Sequence, residues 1–233
     1  MPRTARCIVA DHCYHVLNRG NRKAAMFHEP ADYEQFLLLM RKAQDRLELP
    51  LLAACLMPNH IHLVVRPKHA ADLASWTRWL FTTHVRWHHA KYATTGHVWQ
   101  GRYKAFVCQG DHHLLTVMRY VERNALRARL IDRAEDWRWG SLAWRGSPRP
   151  AVALSESPVP LPSYWRHQVN EPQTAAELAA IRCCVNRQRP FGDEHWVAER
   201  AREMGLENTL APTGRPRKPR SVPVCQERGT VPL

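Results

Sequence analysis

The chain has 233 residues, 45% of them hydrophobic, and carries 34 Lys and Arg against 21 Asp and Glu, a formal surplus of +13. That composition excludes an intrinsically disordered protein and supplies apolar residues for one good-sized core, or one core with an appendage. No run approaches the roughly 20 apolar residues that span a bilayer, and no apolar stretch follows the charges of Met1-Pro2-Arg3-Thr4-Ala5-Arg6-Cys7, so neither a membrane partner nor an export signal is expected.

Residues 7–18, rich in β-branched and aromatic side chains, predict a first strand, broken by Arg19-Gly20-Asn21-Arg22. Pro30 opens a helix to about residue 47, with Tyr33, Phe36, Leu37, Met40 and Leu47 near helical spacing, and Pro50 ends it. Two apolar runs, 51–56 and 61–65, flank Met57-Pro58-Asn59 and predict a hairpin-like pair. A second helix follows at roughly 70–90, striped by Leu73, Trp76, Leu80, His84 and Trp87, then a strand at 99–108. A third helix runs from about 111 to 129, with Asp111 as its N-cap and Leu114, Met118, Val121 and Ala125 as its buried stripe. The order β-α-β-β-α-β-α over residues 1–148 predicts an α+β fold, ferredoxin-like or RRM-like: one antiparallel sheet with helices packed on one face. Residues 149–211 read as a helical carboxy-terminal extension: five prolines between 148 and 162 mark a linker or extended wrap, and helices are expected at 171–184 and 194–204. Residues 212–233, with five positive charges against one negative and little to bury, read as a basic disordered tail.

The positive surplus points to a polyanionic partner, of which nucleic acid is the commonest. Nine tryptophans interleaved with arginine suit stacking on unpaired bases, as they would a Trp-rich core. Seven cysteines, an odd number with no Cys-x-x-Cys pair, suggest reduced thiols in the cytoplasm.

Two constellations carry possible chemistry. On a strand, His60 and His62 project to one face while Ile61, Leu63 and Val65 enter the core. Side by side, the imidazoles can chelate one divalent metal; alone, the pair also fits two solvent-facing histidines. On the third helix, Tyr120 and Asn124 are one turn apart at the flank of the buried stripe, surrounded by Arg119, Arg123 and Arg127. Combined, two His ligands and the Asn124 side-chain oxygen would bring a metal to a tyrosine hydroxyl, which at a pKa near 10 is otherwise a poor nucleophile. That arrangement suits attack on a phosphodiester, giving a covalent phosphotyrosine and a free hydroxyl.

At this point the chain resembles the HUH single-tyrosine transposases, in particular the REP-associated tyrosine transposases of the IS200-like group. The resemblance is carried by residues 15–22 (HVLNRGNR), 57–65 (MPNHIHLVV), 99–103 (WQGRY), 120–128 (YVERNALRA) and 137–141 (WRWGS), in the family's order and spacing. It implies a small antiparallel sheet with helices, a divalent metal such as Mg²⁺ or Mn²⁺, and endonuclease and strand-transfer activity on single-stranded or hairpin DNA formed by REP-like palindromes. By the same resemblance His60 and His62 match the metal ligands, Tyr120 the nucleophile, and Asn124 the polar residue that completes the metal site. Relatives usually carry Asn-Pro-Val-Arg-Ala where this chain has Asn124-Ala125-Leu126-Arg127-Ala128, and loss of the proline predicts a longer helix.

Arg19, Asn21 and Arg22 in the first turn, Arg102 and Lys104 at the last strand, and Arg119, Arg123 and Arg127 on the third helix are the candidate DNA contacts. His88-His89 and His112-His113 are expected to diverge rather than to ligate, and residues 214–219 resemble a minor-groove AT-hook. The acids Asp193 and Glu194 in the segment 189–196 are expected to open a helix. A non-catalytic hairpin-binding regulator of the same topology fits the charge and element order equally well. A hydrolase using water would call for a carboxylate-rich site, which the motifs do not supply. The enzyme is expected in the bacterial cytoplasm, associated with the nucleoid, as a monomer or homodimer.

Overall fold

The computed structural model describes residues 7–211, and the basic tail expected at 212–233 lies outside them. Four strands, β1 (Cys13–Arg19), β2 (Leu51–Met57), β3 (His60–Val65) and β4 (Lys104–Cys108), form one antiparallel sheet in the order β2-β3-β1-β4. Between them run α1 (Pro30–Arg46) and α2 (Asp72–Tyr92), the β-α-β-β-α-β arrangement expected. Pro58 and Asn59 make a two-residue turn, so Met57 pairs with His60 and the β2–β3 register follows.

The alternation of side chains divides the sheet into two unlike faces. Tyr14, Val16, Ile61, Leu63 and Val65 pack with Phe36, Met40, Leu73, Trp76 and Leu80 of α1 and α2 in an almost wholly apolar core. Burying each such side chain contributes about 1.5–3 kcal/mol. The start of α1 is fixed by Pro30 at its first position and a capping box in which Glu29 and Asp32 satisfy each other's backbone donors. Asp32, itself buried, also takes the Tyr92 hydroxyl and the Lys91 ammonium, tying the start of α1 to the end of α2.

The opposite face holds Cys13, Cys55, Val64, Phe106 and Cys108 and is covered by α3 (His112–Glu122). The expected helices on one face thus describe α1 and α2; α3 and the extension sandwich the sheet from the other side. Asp111 caps α3, its carboxylate accepting from the His113 backbone N–H at 2.8 Å. The helix breaks for one residue at Arg123, whose N–H donates to the Arg119 carbonyl and whose carbonyl accepts from the Arg127 N–H, and resumes as α4 (Asn124–Arg127). Arg129, at φ 58°, ends it in the left-handed region.

The first and last strands are shorter than the sequence predicted. Asp11 turns at φ 59°, so pairing begins only at Cys13. Trp99 bridges Gly20 by itself, and regular pairing of the last strand begins at Lys104. After α5 (Ser141–Trp144), the proline-rich segment wraps past the sheet edge, where the Ser155 backbone N–H donates to the Leu51 carbonyl. The helix α6 (Trp165–Asn170), not legible in the sequence, precedes α7 (Ala175–Arg187) and α8 (Glu194–Glu203). Asp193 caps α8, accepting from the Trp196 backbone N–H. Phe191 pairs alongside β4, exchanging backbone bonds with Val107 and Gln109. Among the described residues no helix is long and apolar enough to cross a membrane.

Candidate active site

The second face of the sheet brings the two sequence constellations together. His60 and His62 sit on β3 with ring centroids 5.0 Å apart, and the Tyr120 ring stands edge-on to His62 at 5.7 Å. Almost sixty residues of sequence separate these groups, and antiparallel register combined with the packing of α3 closes the gap. Tyr120 is only 6% exposed. Arg127, two turns along, lies over it, its guanidinium carbon 4.1 Å from the ring centroid. Arg127 also donates to Asn124 Oδ1 at 2.9 Å. Asn124 is buried, and its Nδ2, like Arg127 Nη1, has no partner within the protein. Buried orphan donors beside a tyrosine are costly unless a ligand satisfies them.

The histidine tautomers can be traced through their partners. Asn59 donates through Nδ2 to the Lys23 carbonyl at 3.1 Å, which turns its Oδ1 toward His60 Nδ1 at 2.7 Å. An amide oxygen only accepts, so His60 carries its proton on Nδ1 and its Nε2 lone pair is free. His62 Nδ1 is likewise occupied, 2.8 Å from His15 Nε2. When the His62 Nδ1–H donates to His15, His62 Nε2 is free as well. Burial lowers the His60 imidazole to about 4 and holds His62 well below its ordinary value, with the charges of Arg19 and Arg127 acting in the same direction. Both rings are therefore neutral near pH 7, the form that binds a metal. Two neighbouring neutral imidazoles that can each present Nε2 are the kind of donor set that suits a divalent cation.

His15 was not singled out from sequence. Its ring lies 5.0 Å from that of His62 and 6.2 Å from that of Tyr120, and burial lowers it to about 3. Its alternation with Leu17 and Arg19 puts it on this face, but only the register, with Leu17 opposite His62, shows that it meets that ring.

The candidate DNA contacts fall into two groups. Arg19 ends β1 opposite His60; Gln100 binds back to its carbonyl, so Arg102 and Lys104 lie nearby. Arg22 is exposed and Asn21 half-buried, in a tight turn where Arg22 and Lys23 both have positive φ. Gly20 is required there, because a Cβ would stand 2.2 Å from the Ala24 carbonyl oxygen. Arg119 and Arg123 are engaged elsewhere. Arg119 donates to the carbonyls of Glu171 and Pro172, and Arg123 to those of Val169 and Asn170, fastening the extension to α3. The arginine face that spacing suggested is thus split, with only Arg127 turned to the tyrosine. Between these arginines, Glu122 is buried and accepts from Ser141, Arg145 and Trp165 at 2.6–2.8 Å.

Of the two adjacent histidine pairs, one differs from expectation. His112 and His113 do not diverge: their rings are 4.0 Å apart, and their nitrogens gather with an Asp111 oxygen within 4.8 Å. The Asp111 carboxylate there is committed to the helix cap, so the cluster is accounted for without a ligand. His88 and His89 stand 6.1 Å apart.

Against known proteins, residues 8–124 match the family described as IS200-like transposases. Among solved structures, a REP-associated tyrosine transposase bound to a REP hairpin superposes with a TM-score of 0.53 at 15% identity, over 67% of this chain and 93% of that one. This likeness is one of fold. A crystal structure from Deinococcus radiodurans, whose description suggests a transposase, shares 20% identity over 52% of this chain and 96% of its own, with a TM-score of 0.35. No curated protein matches the chain.

Proposed function

Because the chain belongs to the IS200-like transposase family, we propose that it is a metal-dependent endonuclease and strand transferase that cuts and rejoins single-stranded DNA beside hairpin-forming, REP-like palindromes. The observation that carries this reading is the meeting of Tyr120 with His62, itself beside His60, on one face of the sheet. Tyr120 supplies the nucleophile. Its phenol oxygen forms a bond to phosphorus and its proton passes to water. The bridging oxygen departs with the electrons of the broken P–O bond and takes up a proton. One DNA end is left as a phosphotyrosine and the other as a free hydroxyl, and the reverse attack by a hydroxyl rejoins strands.

His60 and His62, through Nε2, and Asn124, through its side-chain oxygen, would hold Mg²⁺ or Mn²⁺. Bound there, the ion supplies Lewis-acid polarisation of a non-bridging phosphate oxygen. Arg127 places a fixed positive charge against the ring on which negative charge develops, and its unpartnered Nη1 is available to the phosphate. His15 and Asn59 act as positioning residues, holding the two imidazoles in orientation through their Nδ1 atoms. Arg19, Asn21, Arg22, Arg102 and Lys104 would contact the DNA backbone leading to the site. A palindrome is favoured as substrate because a relative of the same fold is bound to a REP hairpin. The scissile phosphate must be unpaired for a buried tyrosine to reach it.

Incubation with end-labelled hairpin DNA and Mn²⁺, resolved on denaturing gels, tests the reading. A protein–DNA adduct is expected from the wild type and none from Tyr120→Phe, which should still bind. Binding without cleavage by the wild type would indicate a hairpin regulator, and cleavage by the Tyr120→Phe variant a water-using nuclease.

A further inference from the structure

On the α2 side of the sheet, away from Tyr120, a cavity of about 550 Å³ opens between α2 and residues 96–103, the loop into β4. Its walls are chiefly apolar, with Ala74, Phe81 and Val85 from the helix and Val98, Trp99 and Tyr103 from the loop. Leu73, Trp76 and Leu80 of the same helix turn to the core. The helix therefore carries a second apolar stripe, at the spacing of successive turns, which the protein covers only in part. The Trp99 ring, centred 4.7 Å from that of Phe81, joins the loop to the helix at this stripe.

Two cations belong to the lining, Arg78 and Arg102, and no Asp or Glu does. Both arginines are exposed, and neither has an ion-pair or hydrogen-bond partner among the described residues. Trp99 is only 5% exposed, and its indole N–H has no acceptor within the protein. A buried donor in that state is costly, and an acceptor arriving with a ligand would recover the cost. An apolar cavity bordered by two uncompensated guanidiniums matches a ligand with an apolar body and one carboxylate, the group an arginine binds in bidentate fashion. Walls that include Phe81 and Trp99 favour a flat ring over a flexible chain. The volume lies within the range of small-molecule sites. A nucleic-acid backbone, charged along its length, would leave the apolar walls unfilled.

We propose that this cavity binds a small aromatic carboxylate, its ring against Phe81 and Trp99 and its carboxylate on Arg78 and Arg102. The binding is independent of what the chain does to DNA. Its consequence rests on the reading of Arg102 as a DNA contact: carboxylate and DNA then compete for one cation, and each weakens the other by the same factor. The test is calorimetry of the full-length protein with 2-naphthoate, in the absence of DNA. One site per chain is expected, with a Kd of about 100 µM. Arg78→Gln is expected to weaken binding about tenfold, and the uncharged 2-naphthalenemethanol to bind about tenfold more weakly than the acid. Ala74 is exposed, so Ala74→Phe adds bulk at the cavity without disturbing the core; it is expected to abolish binding and leave the unfolding midpoint unchanged. Decanoate, with the same charge on a flexible chain, is expected to bind less tightly, and tighter binding would overturn the aromatic assignment. No saturable binding of 2-naphthoate below about 1 mM, or undiminished binding by both variants, would overturn the proposal. Saturating 2-naphthoate is also expected to weaken hairpin binding. An unchanged hairpin affinity with the site filled would count against Arg102 as a DNA contact and leave the cavity's ligand in place.

Discussion

The two faces of the sheet are built from the same strands and have opposite characters. Under α1 and α2 the side chains interlock as an apolar core; under α3 they include two buried histidines and a half-buried one, an arginine stacked on a tyrosine and orphaned amide and guanidinium nitrogens. Burial alone does not separate the two. His84 on α2 is as buried as His62, and burial lowers it to about 3. Yet neither ring nitrogen of His84 has a partner, and it lies among Phe27, Phe36 and Trp99, whereas His62 is aligned by His15 and flanked by His60 and Tyr120. What separates the two rings is what orients them.

The contrast can be broken most forcefully at the proposed ligands. His60→Ala with His62→Ala is expected to abolish Mn²⁺ binding followed by calorimetry and to leave the thermal unfolding cooperative; retained stoichiometric binding would move the metal elsewhere. Next comes Glu122, which holds α3, and hence Tyr120, to Arg145, Ser141 and Trp165. Glu122→Ala strands a partly buried guanidinium and should cost about 3 kcal/mol in denaturant unfolding; a loss below about 1 kcal/mol would show that the network is not what fixes the helix. His15→Ala is expected to weaken Mn²⁺ affinity about 10- to 100-fold with little change in DNA binding. An unaltered affinity would reduce His15 to core filling. The smallest effect is expected on the other face. His84→Leu removes two unsatisfied buried nitrogens and should stabilise the fold by about 1 kcal/mol, measured by the unfolding midpoint, with adduct yield unchanged; a drop in yield would bring the apolar face into the function.

Much of this was legible in the sequence because it depends on local periodicity. Strand parity put His60 and His62 together, helical spacing put Asn124 one turn from Tyr120, and Asp111 announced the start of α3. What could not be read depends on which distant element lands beside a residue. His15 meets His62 only through the β1–β3 register. Arg119 and Arg123 have the spacing of a solvated stripe, but the extension covers them and takes their hydrogen bonds.

The central claim is that the Tyr120 phenol becomes covalently joined to DNA. Tryptic digestion of the wild-type protein after reaction with hairpin DNA and Mn²⁺, followed by nuclease trimming and mass spectrometry, tests it at the atom concerned. The expected result is a nucleotide phosphate carried by the peptide that contains Tyr120. Cleaved DNA with that peptide unmodified, or with the phosphate on another residue, would contradict it.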